Sequence, residues 1–305
     1  LSKMANGICN NLLLATYLSA KCLVYFAPAM DLDMYIHPST KNTLEKLQSF
    51  GNVMIPATSG ELASGLVGEG RMAEPQDIVS FIENDILSKL PLKGKKLLLT
   101  AGPTYEAIDP VRFIGNHSSG KMGFAIAKAA ANLGAEVILI SGPSNQQIKH
   151  SLVQRIDVVS ADEMYTAAHK YFNEVDIAIL SAAVADYKPK NIATQKIKKK
   201  DSTLEIQLTK TKDILASLGE IKKNQFLVGF ALETNNELEN AKNKLKRKNL
   251  DAIVLNSLQD KGAGFATDTN KITIIDTNLN EKSFELKSKV EVAKDIINEI
   301  VKKMN

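Results

Sequence analysis

From about residue 93 onward, short apolar runs alternate with stretches of helical spacing. Residues 96–100 (KLLLT) form a continuous apolar run of strand length, and 136–140, 156–159, 176–183, 226–231 and 252–256 do the same. Between them, residues 123–133 form an Ala-rich helix closed by Gly134. Residues 161–173, 213–218 and 235–249 also read as helices. Residues 204–208 alternate like a half-exposed strand, 271–276 and 283–286 read as a hairpin, and 290–304 as a final helix. This alternation predicts an α/β fold: a Rossmann-like, mostly parallel sheet covered by helices on both faces.

Residues 1–92 follow another pattern. Residues 1–14 read as one helix with no start signal, as if the chain were entered mid-helix. The expectation is therefore a fragment, with part of the first domain lying before Leu1. A short strand at 23–27 stops at Pro28, and a helix at 37–49 has Pro38 in its first turn. A strand at 52–55 leads to a Gly-rich loop over 59–74, and Pro75 starts a helix to about residue 87. KLPLKGK (89–95) has the composition of a linker, which places a boundary near Leu92 and divides the chain into 1–92 and 93–305.

Composition narrows the class. The 305 residues are 44% hydrophobic and 24% charged, which excludes wholesale disorder, collagen and a coiled-coil rod. No apolar run approaches the ~20 residues of a bilayer span, so no membrane insertion is expected. Cys9 and Cys22 cannot build a disulfide framework or a four-cysteine zinc site. With no signal peptide pattern, the expected compartment is the cytoplasm. His37, His117, His150 and His169 show no metal-ligand spacing, and no metal ligand is assigned. Residues 1–92 carry 6 basic and 9 acidic side chains, so the whole-chain charge of +4 comes from the second part. That part suits a small anionic ligand. Nucleic acid is not expected as a partner, because Lys dominates and Trp is absent.

Four segments could carry chemistry. In LLLTAGPTYEAIDPVRFIGNHSSGKMG a buried strand runs through a long loop into a helix whose start carries Ser118, Ser119, Gly120 and Gly123. Free amides and the helix dipole make such a start an anion site. It is neither the dinucleotide fingerprint, since the G-x-G spacing fails at Thr104, nor a Walker loop, since Met122 follows Lys121. A long loop with a capped helix is the plainer alternative. In SAAVADYKPKNIATQKIKKK, small residues at a strand's carboxyl end leave room for a base or ribose, with Asp186 just beyond. Lys196, Lys198, Lys199 and Lys200 then form either a polyphosphate-handling loop or a solvated basic one. Lys244 and Lys248 share one face of a charged helix, which could equally be plain surface. In the first part, APAMDLDM and the flap ELASGLVGEGRMAEP offer Asp31 or Asp33 as an acid, an anchor or a cap.

Together these segments resemble the bifunctional phosphopantothenoylcysteine decarboxylase/phosphopantothenate–cysteine ligase family of coenzyme A synthesis. The matching stretches are TAGPTYEAIDPVRFIGNHSSGKMG, SAAVADY, KIKK, VGFALETN, KNLD and GFATDTN, in order. Residues 93–305 resemble the complete ligase domain, and 1–92 the C-terminal part of a Rossmann-like flavoprotein decarboxylase domain. The resemblance implies ligation of 4′-phosphopantothenate to cysteine through an acyl-cytidylate, with CTP and Mg²⁺. It implies FMN only where the decarboxylase domain is complete. It implies a homo-oligomer: a ligase dimer, with larger assembly through the decarboxylase domain.

By the same resemblance, Asn116 donates its amide to the acyl oxygen and Lys196 neutralises phosphate charge. Leu180, Ser181, Ala182 and Asp186 hold the cytidine. Lys212, Asp213, Ile214, Leu215 and Phe230 make further nucleotide contacts, and Lys244 and Lys248 face the nucleotide. At Lys212 the family more often has proline. The decarboxylase part departs further. Ala63-Ser64-Gly65 stands where the family has Ala-Cys-Gly, and a hydroxyl is a far weaker acid than a thiol. Asp31 stands where the family has the clamping Asn. The segment with the catalytic histidine is expected before Leu1, so this chain alone is not expected to decarboxylate. Two competing readings are a nucleotide-binding oxidoreductase and a non-catalytic flavin-binding or assembly subunit.

Overall fold

The computed structural model describes residues 1–198, 203–233, 235–257 and 267–304. Lys199, Lys200, Thr234 and Phe265, which belong to motifs named above, lie outside the described residues. The chain divides into two compact units, Leu1–Lys89 and Leu90–Asn305.

The larger unit is built on eight strands: β1 (Lys96–Ala101), β2 (Glu136–Ser141), β3 (Val153–Asp157), β4 (Ile177–Leu180), β5 (Phe226–Glu233), β6 (Ala252–Ser257), β7 (Thr269–Asp276) and β8 (Glu281–Ser288). They form one sheet in the order β3-β2-β1-β4-β5-β6-β7-β8. Strands β1 to β6 pair in parallel, and β7 and β8 add an antiparallel hairpin at the edge. The expected Rossmann-like α/β fold is therefore present, with an antiparallel extension. Continuous apolar runs make this architecture necessary. Leu97, Leu98 and Leu99 are all fully buried, so β1 must be covered on both faces.

Two cores provide that cover. On one face, α1 (Lys121–Asn132) and α5 (Lys289–Met304) pack Phe124, Ile126, Val292, Ile296 and Ile297 on Leu97, Leu99, Ile179 and Val228. On the other, α2 (Ala161–Phe172), α3 (Ile214–Ile221) and α4 (Glu237–Arg247) pack Met164, Phe172, Leu218 and Leu245 on Leu98, Ala178, Leu227 and Ile253. Burial of each such side chain stabilises the fold by roughly 1.5–3 kcal/mol. Helix starts are set locally. The Ser160 hydroxyl accepts from the Glu163 amide at 3.2 Å, and Glu163 Oε2 accepts in return from the Val159 amide at 2.7 Å.

Three sequence expectations in this unit change. Residues 204–208 are not a strand: the strand is Leu208–Lys210, paired with Tyr187–Pro189 away from the main sheet. The strand expected at 156–159 is Val153–Asp157, in register with β2 from Val137↔Val153 to Ser141↔Asp157. The long loop after β1 contains a small hairpin, Tyr105–Ala107 with Phe113–Gly115.

The smaller unit differs more. The helix expected over 1–14 is split into Ser2–Ala5 and Leu12–Ser19. Gly7 turns the chain at φ 68°, and the Asn11 side chain starts the second helix by accepting from the Leu14 amide at 2.9 Å. The Gly-rich loop over 59–74 is largely a hairpin of Thr58–Glu61 and Val67–Arg71. Beside it, Tyr25–Phe26 and Val53–Met54 pair in parallel, over a small core of Ala5, Phe26, Leu44 and Leu47.

Candidate active site

Strand order reverses between β1 and β4. At such a switch point the carboxyl-end loops diverge and leave a crevice. Here the crevice is a cavity of about 970 Å³, large enough for a nucleotide-sized ligand.

The cavity wall nearest β1 is the start of α1. Gly120 is its N-cap, at φ 78°, and brings no side chain to the first turn; the Ser118 and Ser119 hydroxyls accept from the Gly120 and Lys121 amides only at long range, 3.4 and 3.5 Å. Ser118 to Gly123 line the crevice, which places the positive end of the helix dipole at its wall. The helix lies very close to the sheet: a Cβ on Gly123 would sit 2.5 Å from Ala101 Cβ and 2.8 Å from Ser181 Oγ. Only glycine permits that approach.

The opposite wall continues β4. Ser181 Oγ donates to the Thr100 carbonyl at 2.7 Å, and the Ala182 amide donates to Thr100 Oγ1 at 3.3 Å. The Ala185 amide donates to Thr104 Oγ1 at 3.0 Å. These bonds splay the segment beyond β4 without a helix. The Asp186 main chain is pinned by the Thr211 amide at 2.9 Å, and Asp186 also lines the cavity.

The third wall carries positive charge. Lys244 Nζ donates to the Phe230 carbonyl at 2.8 Å. Burial, and then repulsion from Lys248, hold Lys244 below the usual lysine range. Lys248 Nζ pairs with Asp213 Oδ2 at 2.7 Å, while Asp213 Oδ1 caps α3 by accepting from the Ala216 amide at 3.0 Å. Burial alone would raise the Asp213 carboxyl, but the bonds from Lys248 and Ala216 outweigh it and leave the pKa lowered. Lys212 Nζ lies 4.7 Å from the Tyr165 ring centroid, a cation–π contact.

Sixteen side chains and backbone positions singled out in the sequence line this one cavity: Asn116, Ser118, Ser119, Gly120, Gly123, Leu180, Ser181, Ala182, Asp186, Lys212, Asp213, Ile214, Leu215, Phe230, Lys244 and Lys248. Lys196 does not line it; it stands exposed on the segment after Ile192. Asn116 lines the cavity, but its amide donates to the Ala183 and Val184 carbonyls, at 3.2 and 3.1 Å, and so braces the strand end. Asp31 and Ser64 lie together in the smaller unit, where Ser64 Oγ donates to Asp31 Oδ1 at 2.8 Å and Asp31 caps the Leu32 amide.

Sequence reasoning missed Lys289, Asn256 and Asn270, which also line the cavity. Their signal was a polar residue on an apolar stripe. Lys289 shares the helix face of Val292, Ala293 and Ile296 and is 7% exposed. Asn256 continues the Ala252–Val254 alternation, and Asn270 that of Ile272 and Ile274. Burial, and then Lys121, push Lys289 below the usual lysine range.

Residues 92–304 match the family model of the DNA/pantothenate metabolism flavoprotein C-terminal domain, and residues 1–87 match that of a flavoprotein. The chain belongs to the DNA/pantothenate metabolism flavoprotein family. Within it, the chain is 45% identical to the coenzyme A biosynthesis bifunctional protein CoaBC of Bacillus subtilis, over 98% of this chain and 74% of that protein. It is 55% identical to a cysteine/cysteine sulfinic acid decarboxylase of an unknown prokaryotic organism, over 99% of this chain and 85% of that one. The crystal structure of the C-terminal domain of a CoaBC protein matches at a TM-score of 0.61 and 42% identity, covering 71% of this chain and 98% of that one.

Proposed function

We propose that the larger unit is a CTP-dependent ligase that joins 4′-phosphopantothenate to cysteine. The observation that carries this reading is the one cavity on which the glycine-led start of α1, the β4 end with Asp186, and Lys244 and Lys248 all converge. Family membership and 45% identity to a coenzyme A biosynthesis protein support it.

The walls suggest a division of labour. The β4 end, with Leu180, Ser181, Ala182 and Asp186, takes the cytosine and ribose. The amides of the α1 start and the ammonium groups of Lys244 and Lys248 take the phosphates. The substrate carboxylate attacks the α-phosphorus, the bond to the β-phosphate oxygen breaks, and pyrophosphate leaves. The cysteine amine then attacks the acyl carbon, loses a proton, and CMP leaves. Lys196 would neutralise charge in the first step. Asn116 would act by bracing the cavity edge and through its remaining carbonyl face. Among the described residues no group of three potential metal ligands occurs, so a divalent cation such as Mg²⁺ would enter on the nucleotide's phosphates. The test is pyrophosphate release with 4′-phosphopantothenate, comparing CTP with ATP, with and without cysteine. CTP-selective release, with ligated product only when cysteine is present, is expected. No release with any nucleotide would instead favour a non-catalytic subunit. Unchanged release in Lys196→Gln would remove the role given to that lysine.

A second reading concerns the smaller unit, and rests on the relative named as a cysteine/cysteine sulfinic acid decarboxylase. A carboxylate at Asp31 would attract the ammonium group of a free amino acid, where the family's asparagine would not. The flavoprotein family match over residues 1–87 supports FMN as the cofactor of this reading. Carbon dioxide release from cysteine or cysteine sulfinate, with FMN supplied, is the measurement; no release from either substrate would sink it.

A further inference from the structure

Lys196 is followed by a residue held at both of its backbone groups. The Ile197 amide donates to Asp109 Oδ2 at 3.1 Å, and the Ile197 carbonyl accepts from Arg112 Nη2 at 3.1 Å. Asp109 and Arg112 are paired with each other at 2.9 Å. The Asp109 carboxylate also accepts from the amides of Val111 at 2.8 Å and Arg112 at 2.9 Å. Its side chain has no exposed surface. A buried carboxylate is tolerated only when its lone pairs are engaged. Four donors engage this one, so its position is over-determined and so is that of the peptide it grips.

The location of the grip matters. Asp109 and Arg112 form the turn of the hairpin Tyr105–Ala107 with Phe113–Gly115. The other end of that hairpin leads directly into Asn116, which is bonded to the cavity edge at Ala183 and Val184. Three residues of strand span roughly 10 Å. The hairpin is thus a short strut with Asn116 at its cavity end and Ile197 at its tip. It is stiff: Tyr105 stacks on Phe113 at 3.9 Å, and Glu106, 3% exposed, accepts from the Ala161 amide at 2.8 Å. A further bond, from the Ala193 amide to the Ile108 carbonyl at 3.0 Å, ties the segment before Lys196 to the same turn.

We propose that Asp109 and Arg112 act as positioning residues for Lys196. By holding the Lys196–Ile197 peptide they set the lysine's backbone at a constant offset from Asn116, although the two lie on separate segments. A bond to one backbone group would fix only where the chain passes. Bonds to both groups of Ile197 fix the two peptide planes that flank it, and the first of these contains the Lys196 Cα, the point from which the lysine side chain leaves. The inference rests on the ligase reading for the work Lys196 does, but the grip itself does not depend on it.

The test uses the full chain and four proteins: wild type, Asp109→Asn, Lys196→Gln and the double variant. Pyrophosphate release from CTP is expected to fall in kcat by up to about 10²-fold in Asp109→Asn, the scale of a misplaced group, with KM for CTP little changed. The double variant is expected to be no slower than Lys196→Gln alone, because a residue acting only through Lys196 adds nothing once it is gone. Unchanged kcat in Asp109→Asn, or losses that multiply in the double variant, would overturn the proposal. Amide exchange at Ile197 is expected to quicken in Asp109→Asn; unaltered exchange would overturn the grip whatever the activity. A wild-type chain that releases no pyrophosphate would sink the ligase reading, leaving exchange to judge the grip. Should Asp109→Asn fail to fold, Arg112→Lys removes the fork that reaches the Ile197 carbonyl and is expected to shift kcat in the same direction, by less.

Discussion

Lys248 and Asp213 lie 35 residues apart in sequence and meet with Nζ 2.7 Å from Oδ2 at the mouth of the cavity. The same aspartate caps α3. One carboxylate therefore couples a helix start to the orientation of a cavity lysine. Asp213→Ala is expected to lose the cap and lower stability by about 0.5–2 kcal/mol, seen as a fall in Tm. It is also expected to weaken nucleotide binding, because Lys248 loses its orienting partner. A variant with lowered Tm but unchanged nucleotide affinity would separate the two roles and disprove the coupling.

Lys244 supplies a pH signature. Its pKa lies below the usual lysine value because of burial and the neighbouring Lys248 charge. As pH rises through that lowered value, Lys244 loses its proton while exposed lysines keep theirs. Nucleotide affinity is therefore expected to fall on the alkaline side below pH ~10.4, the ordinary lysine value. In the same window the unfolded chain binds more protons than the folded one, so folding stability rises with pH. Lys244→Arg, which stays charged, is expected to move the loss of affinity to higher pH. An unmoved alkaline limb in nucleotide titrations would show that another group sets it.

Gly123→Ala tests the contact between α1 and the sheet. The added methyl would meet Ala101 Cβ at 2.5 Å and Ser181 Oγ at 2.8 Å. Overpacking of this kind costs about 1–3 kcal/mol. Because the helix start must move away from the β4 end, nucleotide affinity is expected to fall along with Tm. Thermal melts and nucleotide titration of the same protein would check both.

Acid sensitivity is expected from Asp276 at the β7–β8 turn. Burial opposes its ionisation, but Lys303 at 2.7 Å and the Asn280 amide at 3.0 Å outweigh that and lower its pKa. A lowered folded pKa gives stability that is fully present above the unfolded value of ~3.9 and is lost as pH falls through the folded one. Asp276→Asn is expected to lose about 1–3 kcal/mol at pH 7, with the gap to wild type closing as pH falls below about 4. A constant gap across that range in denaturant melts would contradict the assignment.

What was legible in the sequence was local or periodic. Runs such as LLLT and IAIL declare buried parallel strands, because a strand covered on both faces has no polar position to show. Gly120 and Gly123 mark a helix start close to a strand, because their lack of a Cβ is what permits the approach. The residues around Ser118 and Ser181 could be named in advance because each sits at an element's end, where a parallel sheet exposes its crevice, whereas Lys244, in the last turn of a charged helix, was singled out by the family resemblance. Tertiary structure decided what depends on partners distant in the chain. The 59–74 segment is a hairpin because its two halves pair with each other, which glycine-rich sequence does not announce. Lys289, Asn256 and Asn270 reach the cavity because α5, β6 and β7 end at the same edge, an outcome of strand order. The Asp109 carboxylate grips Ile197 across 88 residues. Nothing in the sequence around either residue names the other, because a hydrogen bond to a backbone amide leaves no mark on the side chain of the residue that donates it.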